Sequence, residues 1–234
     1  MAGAMADRDT LQKVIIGLLA VAAILAGYST AVTLTTYAKL TGNQILRFSG
    51  KTDISNVDVS KSTSTAMSML LVFPELKSAR SELEIANAII PSGTPEYADK
   101  IPISYDDPVN SLNYLYRSYS KLKEELKKDP EKWNRYLNLA TKPVGISCEF
   151  CCGVGPVGIT PTGELRCGCQ HNPALQALTM ALIKDTDYSD AEILREVLRW
   201  KALFFPKPMV ALAAQVAGKD PSEISALPGM VGGC

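Results

Sequence analysis

The chain has 234 residues, of which 24 are lysine or arginine and 24 are aspartate or glutamate, so its formal net charge is zero. A protein that binds nucleic acid through phosphate contacts presents an excess of basic residues. This composition therefore argues against a nucleic-acid partner. The length allows one domain of ordinary size together with additional segments.

The first feature along the chain is an uncharged run at residues 14–37, which follows a polar tail at residues 1–13. The run is VIIGLLAVAAILAGYSTAVTLTTY, and about 20 apolar residues are enough for a helix to cross a bilayer. Its apolar character continues past Gly27, unlike that of a cleaved signal peptide. A buried core helix is the alternative, but such helices usually carry a polar face. The sequence thus predicts a single-pass membrane protein held in the lipid bilayer by a transmembrane helix at 14–37.

The side of the membrane is weakly encoded, because basic residues are nearly balanced on the two flanks of this run. The short N-terminal tail favours an extracytoplasmic location for the rest of the chain. Residues 38–65 are rich in serine, threonine, asparagine and glycine, and are predicted to be a linker or stalk. Residues 66–218 are predicted to form a helical domain, and residues 219–234 a flexible tail.

Capping residues and prolines mark the helix starts within this domain. An acidic residue followed by proline is typical of a helix N-terminus, and a serine with glutamate three residues later forms a capping box. A first helical stretch, 66–90, is interrupted at Pro74. The later predicted starts are Asp107-Pro108, Asp129-Pro130, Asn172-Pro173 and Ser189.

Five of the six cysteines and the only histidine lie within residues 148–171, CEFCCGVGPVGITPTGELRCGCQH. Two thiols three residues apart can bind one metal ion, because the chain between them folds into a tight knuckle. Zinc takes four cysteine or histidine ligands in a tetrahedron. The six candidate metal ligands are Cys148, Cys151, Cys152, Cys167, Cys169 and His171.

The residues between the two halves of this cluster have the pattern of a β-hairpin with Pro161-Thr162-Gly163 as its turn. The second half precedes a predicted helix start, whose amides favour thiolate charge. Knuckle, hairpin and helix in this order resemble the treble-clef arrangement of zinc sites. There, Cys148 and Cys151 are the first ligand pair, and two of Cys167, Cys169 and His171 are the second. The predicted fold class is therefore mainly α, with one N-terminal transmembrane helix and a small helical domain containing a treble-clef-like β-hairpin metal site.

Zinc is the favoured metal, and three alternatives stay open. These are disulfide bonds without metal in an extracytoplasmic domain, an iron–sulfur cluster and a copper site. Six candidate ligands exceed the four that zinc needs, with Cys152 spare or replacing Cys151. The chain is accordingly either a structural module that binds a protein partner or a metal-handling or redox protein that uses its surplus thiols. No catalytic triad can be assembled around a histidine that lies among thiols, and nothing in the sequence favours an enzyme.

The stretch SCEFCCG, followed by CGCQHNPALQALTMAL and YSDAEILREVLRWKALFFPK, resembles a family of uncharacterised archaeal membrane-anchored Cys-rich proteins. Those carry a CEYCCG…CGCAH cluster and a WK-x-x-FFP ending. The resemblance covers residues 91–208 and implies an archaeal source and a metal-binding role. The cluster is also distantly similar to bacterial proteins with a Cys-x-Cys-Gly-Cys motif, in which metal binding is presumed. The archaeal family has no assigned activity, so the resemblance implies no reaction.

Overall fold

The computed structural model describes residues 52–217, and this part of the chain is mainly helical. Seven α-helices and two short 3-10 turns, Val59–Lys61 and Pro74–Lys77, form its regular structure. In chain order the helices are α1 (Thr65–Val72), α2 (Glu82–Ile89), α3 (Pro108–Leu126), α4 (Pro130–Ala140), α5 (His171–Asp185), α6 (Asp190–Phe204) and α7 (Pro206–Val216).

The prediction of a single-pass membrane protein needs correction. Among the helices of residues 52–217, none combines the length and the apolar character that crossing a bilayer requires. The longest of them, α3, has 19 residues but carries the charged stretch that ends in KLKEEL. The predicted span, 14–37, and both predicted tails lie outside the described residues. The bilayer partner and the membrane location therefore have no support in the structure.

The predicted β-hairpin is also wrong, because the region from residue 52 to 217 contains no β-strand. Ile159 and Leu165 form one isolated antiparallel bridge, and Ile146 forms one isolated parallel bridge with Val157. A tight turn replaces the hairpin, with Thr160 N–H donating to Glu164 O at 2.8 Å and Gly163 N–H donating to Thr160 O at 2.9 Å. A longer ladder does not form, because the chain pairs with a different segment at Val157, only two residues before the bridge at Ile159.

The helix starts predicted from capping residues are confirmed. Asp107 and Asp129 each accept a hydrogen bond from a backbone N–H of the first turn, with proline following directly. Ser189 and Glu192 form the expected capping box of α6. Helix α5 begins at His171, one residue before the predicted Asn172, and its N-cap side chain makes no hydrogen bond. The exception matters, since this helix end faces the cysteines.

Helix α5 is the centre of the core. Every residue from His171 to Ile183 is buried, and α5 packs against α3, α4 and α6. Helix α6 in turn contacts α1 and α7. Each buried apolar side chain stabilises the fold by about 1.5–3 kcal/mol. The helices packed around α5 therefore form a core without a metal ion.

The segment before α1 belongs to the packed structure. Ile54 and Val59 are 4% exposed and lie in the main hydrophobic core. Asp58 caps the 3-10 turn that follows it by accepting a hydrogen bond from Ser60 N–H at 2.9 Å. The linker predicted over 38–65 thus includes core residues at its C-terminal end. The sequence did not reveal them because the apolar side chains of this segment are too sparse to show a helical period.

Candidate metal centre

The cysteine cluster lies in the 30-residue connection between α4 and α5, residues 141–170, here called the cysteine connection. Its first half is anchored in the core, since Val144, Ile146 and Cys148 are fully buried. Glu149 has a positive φ of 45°, a conformation that few non-glycine residues adopt. This bend turns the chain directly after Cys148 and brings Cys151 back toward it.

Four sulfur atoms meet at one point of this connection. The Sγ of Cys148 lies 3.1 Å from that of Cys151 and 3.4 Å from that of Cys169. Cys151 Sγ lies 3.4 Å from Cys169 Sγ and 3.5 Å from Cys152 Sγ. The four sulfurs all lie within 4.8 Å of one another, a group that can hold a metal ion.

Cys152 and Cys167 form a disulfide-bonded pair. Their Cα atoms are 6.4 Å apart, and 15 positions separate them in sequence. Cys167 Sγ also lies 3.3 Å from Cys169 Sγ. All five cysteines of the motif are therefore brought together, and Cys152 belongs both to the metal-binding group and to the disulfide pair.

His171, the sixth predicted ligand, occupies a supporting position. Its ring is fully buried and packs against Phe204 and Phe205, with centroids 5.5 and 4.7 Å away. Its side chain makes a hydrogen bond to Cys169. The structure thus places His171 as a partner of one cysteine, at the first residue of α5.

The proton distribution among the buried cysteines is uneven. Hydrogen bonds from Cys148, from the His171 side chain and from the Asn172 backbone lower the pKa of Cys169 to about 3. The hydrogen bond with Cys169, together with burial, raises the pKa of Cys148 well above its ordinary value. These shifts favour the thiolate form of Cys169, the form in which cysteine binds metals, and the protonated form of Cys148, whose proton a metal would displace.

A buried ion pair lies directly beneath the knuckle and was not foreseen from the sequence. The Lys201 side chain is 0% exposed, and its Nζ pairs with the Glu149 carboxylate and donates to Gly145 O at 3.0 Å. Thr65 Oγ1 donates to the same carboxylate at 2.6 Å. Burial lowers the pKa of Lys201, and the charge of Glu149 opposes that shift. The one available sequence signal was a lone lysine within the apolar ending WKALFF.

Polar side chains at the start of α5 fasten the cysteine connection to the helical core. The buried Asn172 donates from Nδ2 to Gly158 O at 2.9 Å, and the buried Gln176 donates to Ile146 O. Tyr136 of α4 donates its hydroxyl proton to Gln176 Oε1 at 3.0 Å. Buried amides of this kind are expensive to leave unpaired, so the two segments that carry the cysteines are held at fixed positions.

The centre is open to solvent on one side only. Cys148, Cys167 and Cys169 are buried, whereas Cys151 and Cys152 are exposed. Phe150, 39% exposed, directly precedes Cys151 in sequence and packs on Phe205 with ring centroids 5.3 Å apart. Ions and small thiol reagents can therefore approach the cluster from the side of Cys151 and Cys152.

Comparisons of the chain with protein-family models, with curated proteins and with solved structures find no match. The cysteine cluster by itself does not identify the archaeal group expected from the sequence. The geometry of the five sulfurs and their surroundings is therefore the basis for a function.

Proposed function

We propose that the chain is a metal-binding protein in which Cys148, Cys151, Cys152 and Cys169 hold one zinc ion. The observation that carries this proposal is the convergence of four sulfurs within 4.8 Å of one another. A zinc–sulfur bond is about 2.3 Å long, so tetrahedral thiolates on one ion lie about 3.8 Å apart. The sulfur contacts of 3.1 to 3.5 Å need only a small outward adjustment to reach that spacing.

The same spacing favours a single ion over an iron–sulfur cluster. Two thiolates on opposite sides of one zinc ion are separated by at most about 4.6 Å, close to the 4.8 Å limit of this group. A cluster of several irons and bridging sulfides is larger than one ion and holds its cysteines farther apart. Four ligands also complete the coordination that structural zinc prefers.

The surroundings of the site suit its charge. Four thiolates around one zinc ion carry a net charge of −2. The buried ammonium of Lys201 is close enough for its pKa to respond to Cys148, and the Asn172 backbone N–H donates to Cys169 at the positive end of α5. The helix N-terminus stabilises negative charge at this point, and the ammonium of Lys201, although paired with Glu149, lies close enough to add to that effect. Both features support a thiolate-rich metal site.

The role we propose for the zinc is structural. The cysteine connection has no strand or helix of its own among the described residues, so the ion would fix the positions of residues 148–152 relative to the N-terminus of α5. Structural zinc sites contribute folding free energy directly. A module stabilised in this way presents a defined surface to a protein partner, which is the non-enzymatic role we favour.

The test is the metal content of the full chain, purified under reducing conditions and measured by inductively coupled plasma mass spectrometry. We expect one zinc per chain, and a blue-green colour with absorption bands in the red when cobalt replaces zinc in a tetrahedral thiolate site. Cys148→Ser and Cys169→Ser should lose the metal. Cys234→Ser is the matched control, because it removes a cysteine outside the motif.

Two results would overturn the proposal. One is a reduced, folded chain that contains no zinc and takes up no cobalt. The other is iron together with acid-labile sulfide, which identifies an iron–sulfur cluster. Copper in place of zinc would keep the site but change its metal, and hence its structural role.

A further inference from the structure

We infer that Cys152 is shared between the metal ion and Cys167, so that oxidation of this cysteine pair by a small-molecule disulfide releases the ion. The inference rests on the proposed zinc site. It adds a redox response to a site that is otherwise structural.

The two roles of Cys152, metal ligand and disulfide partner, exclude each other. Its sulfur belongs to the four-sulfur group, and the same sulfur pairs with Cys167 across a Cα separation of 6.4 Å, within the usual disulfide range of about 4.4–6.8 Å. A cysteine binds a metal ion as a thiolate, and a sulfur in a disulfide bond is not a thiolate. Zinc therefore binds in full only to the reduced form.

No other cysteine of the motif belongs both to the four-sulfur group and to the disulfide pair. Cys148, Cys151 and Cys169 contact one another and lie outside the disulfide pair. When Cys152 and Cys167 are joined, three thiol ligands remain for an ion that prefers four. Oxidation thus removes one ligand while leaving the other three in place.

Cys152 also has access to solvent and room for movement. Cys152 is exposed and Cys167 is buried, so a dissolved oxidant meets Cys152 first. The next residues contain Gly153 and Gly155, where an added Cβ would meet no atom of the described chain within 4 Å. This open space leaves room for Cys152 to adjust between the ion and Cys167.

The reaction balances with a low-molecular-weight disulfide, RSSR, as the oxidant. The Cys152 sulfur leaves zinc and attacks RSSR, which forms a mixed disulfide and expels one RS⁻. The Cys167 thiol then attacks the Cys152 sulfur of that mixed disulfide, expels the second RS⁻ and gives up its proton to it or to water. The two cysteines lose two electrons in total, RSSR gains them as two thiols, and zinc leaves with its charge unchanged.

The experiment follows zinc release from the zinc-loaded full chain during titration with oxidised glutathione, using a chromogenic zinc chelator. The Cys234→Ser background keeps the sixth cysteine out of the reaction. We expect the background protein to lose its zinc and dithiothreitol to restore binding. Adding Cys167→Ser leaves all four proposed ligands in place and allows only the mixed disulfide, which the released thiol reverses. This variant should therefore keep its zinc at oxidant concentrations that remove the zinc from the background protein.

The outcomes separate the two proposals. No zinc in the reduced protein overturns the proposed function and this inference together. Zinc that stays bound after full oxidation, or equal release from the Cys167→Ser variant, overturns this inference alone. Peptide mapping of the oxidised background protein decides the matter even if Cys167→Ser fails to fold. A Cys152–Cys167 linkage formed in step with zinc release supports the inference, and release with other linkages contradicts it.

Discussion

The helical body and the cysteine connection are held together by different forces. Around α5 the helices bury apolar side chains, and thirteen consecutive residues of that helix are buried. The connection at residues 141–170 has only isolated bridges and depends on buried amides, one buried ion pair and five sulfurs. The body therefore depends mainly on apolar burial, whereas the connection depends on a small number of polar and sulfur contacts.

The largest effect is expected from Lys201→Met, which breaks the ion pair between the two regions. It leaves the Glu149 carboxylate, 17% exposed, without its cation, and removal of one partner from a buried pair lowers the free energy of unfolding by about 3–5 kcal/mol. Urea denaturation measures the loss. The control is the double variant Lys201→Met/Glu149→Gln, which should recover part of it. If the single variant is as stable as the parent, the pair does not anchor the knuckle.

Leu178→Ala tests the helical body. Leu178 is fully buried in the middle of α5, and truncation of a buried leucine to alanine lowers the free energy of unfolding by about 2–5 kcal/mol. We expect this loss while the folded variant keeps its zinc, because the cavity lies two helical turns beyond the cysteines. Leu83→Ala, at a position 42% exposed, is the matched control and should change little. Loss of zinc from the folded Leu178→Ala protein would show that the two regions are not separable.

Gly158→Ala tests the connection. An added Cβ would collide with the Asn172 side-chain amide and approach Gln176 Nε2 to 3.0 Å, and overpacking of this kind lowers the free energy of unfolding by about 1–3 kcal/mol. Zinc affinity, measured by chelator competition, should fall, while circular dichroism shows unchanged helix content. Gly168→Ala lies between two cysteines but meets no described atom within 4 Å. Equal affinities for the two variants would refute the role of the Asn172 contact.

Glu125→Gln should have the smallest effect. Glu125 Oε2 lies 2.7 Å from Lys184 Nζ. Both side chains are about one third exposed, and water and salt screen such pairs. The midpoint of thermal unfolding should therefore stay close to that of the parent chain. A shift as large as that of Lys201→Met would mean that burial does not determine how much each of the two ion pairs contributes to stability.

Sequence patterns predicted the local features of this structure and missed the long-range ones. The caps at Asp107, Asp129 and Ser189 follow from residues within one helical turn, and the spacing of the cysteines predicted that they lie together. The ion pair of Lys201 with Glu149 joins residues 52 positions apart, and no short-range pattern encodes it. The turn at Pro161 was predicted correctly, and Ile159 bridges Leu165 beside it. The hairpin prediction failed because the pairing does not extend further: Val157 pairs with Ile146, and Gly158 O accepts a hydrogen bond from Asn172.

The burial of α5 on every side has a consequence for the order of folding. An isolated helix of 15 residues is marginal in water, and this one gains its stability only when α3, α4 and α6 surround it. Cys167 and Cys169 precede the first turn of α5, while Cys148, Cys151 and Cys152 follow α4, so the sulfurs meet only after these helices have docked. We therefore expect metal capture to be a late event that follows assembly of the helical body, with zinc sealing a connection whose ends are already in place.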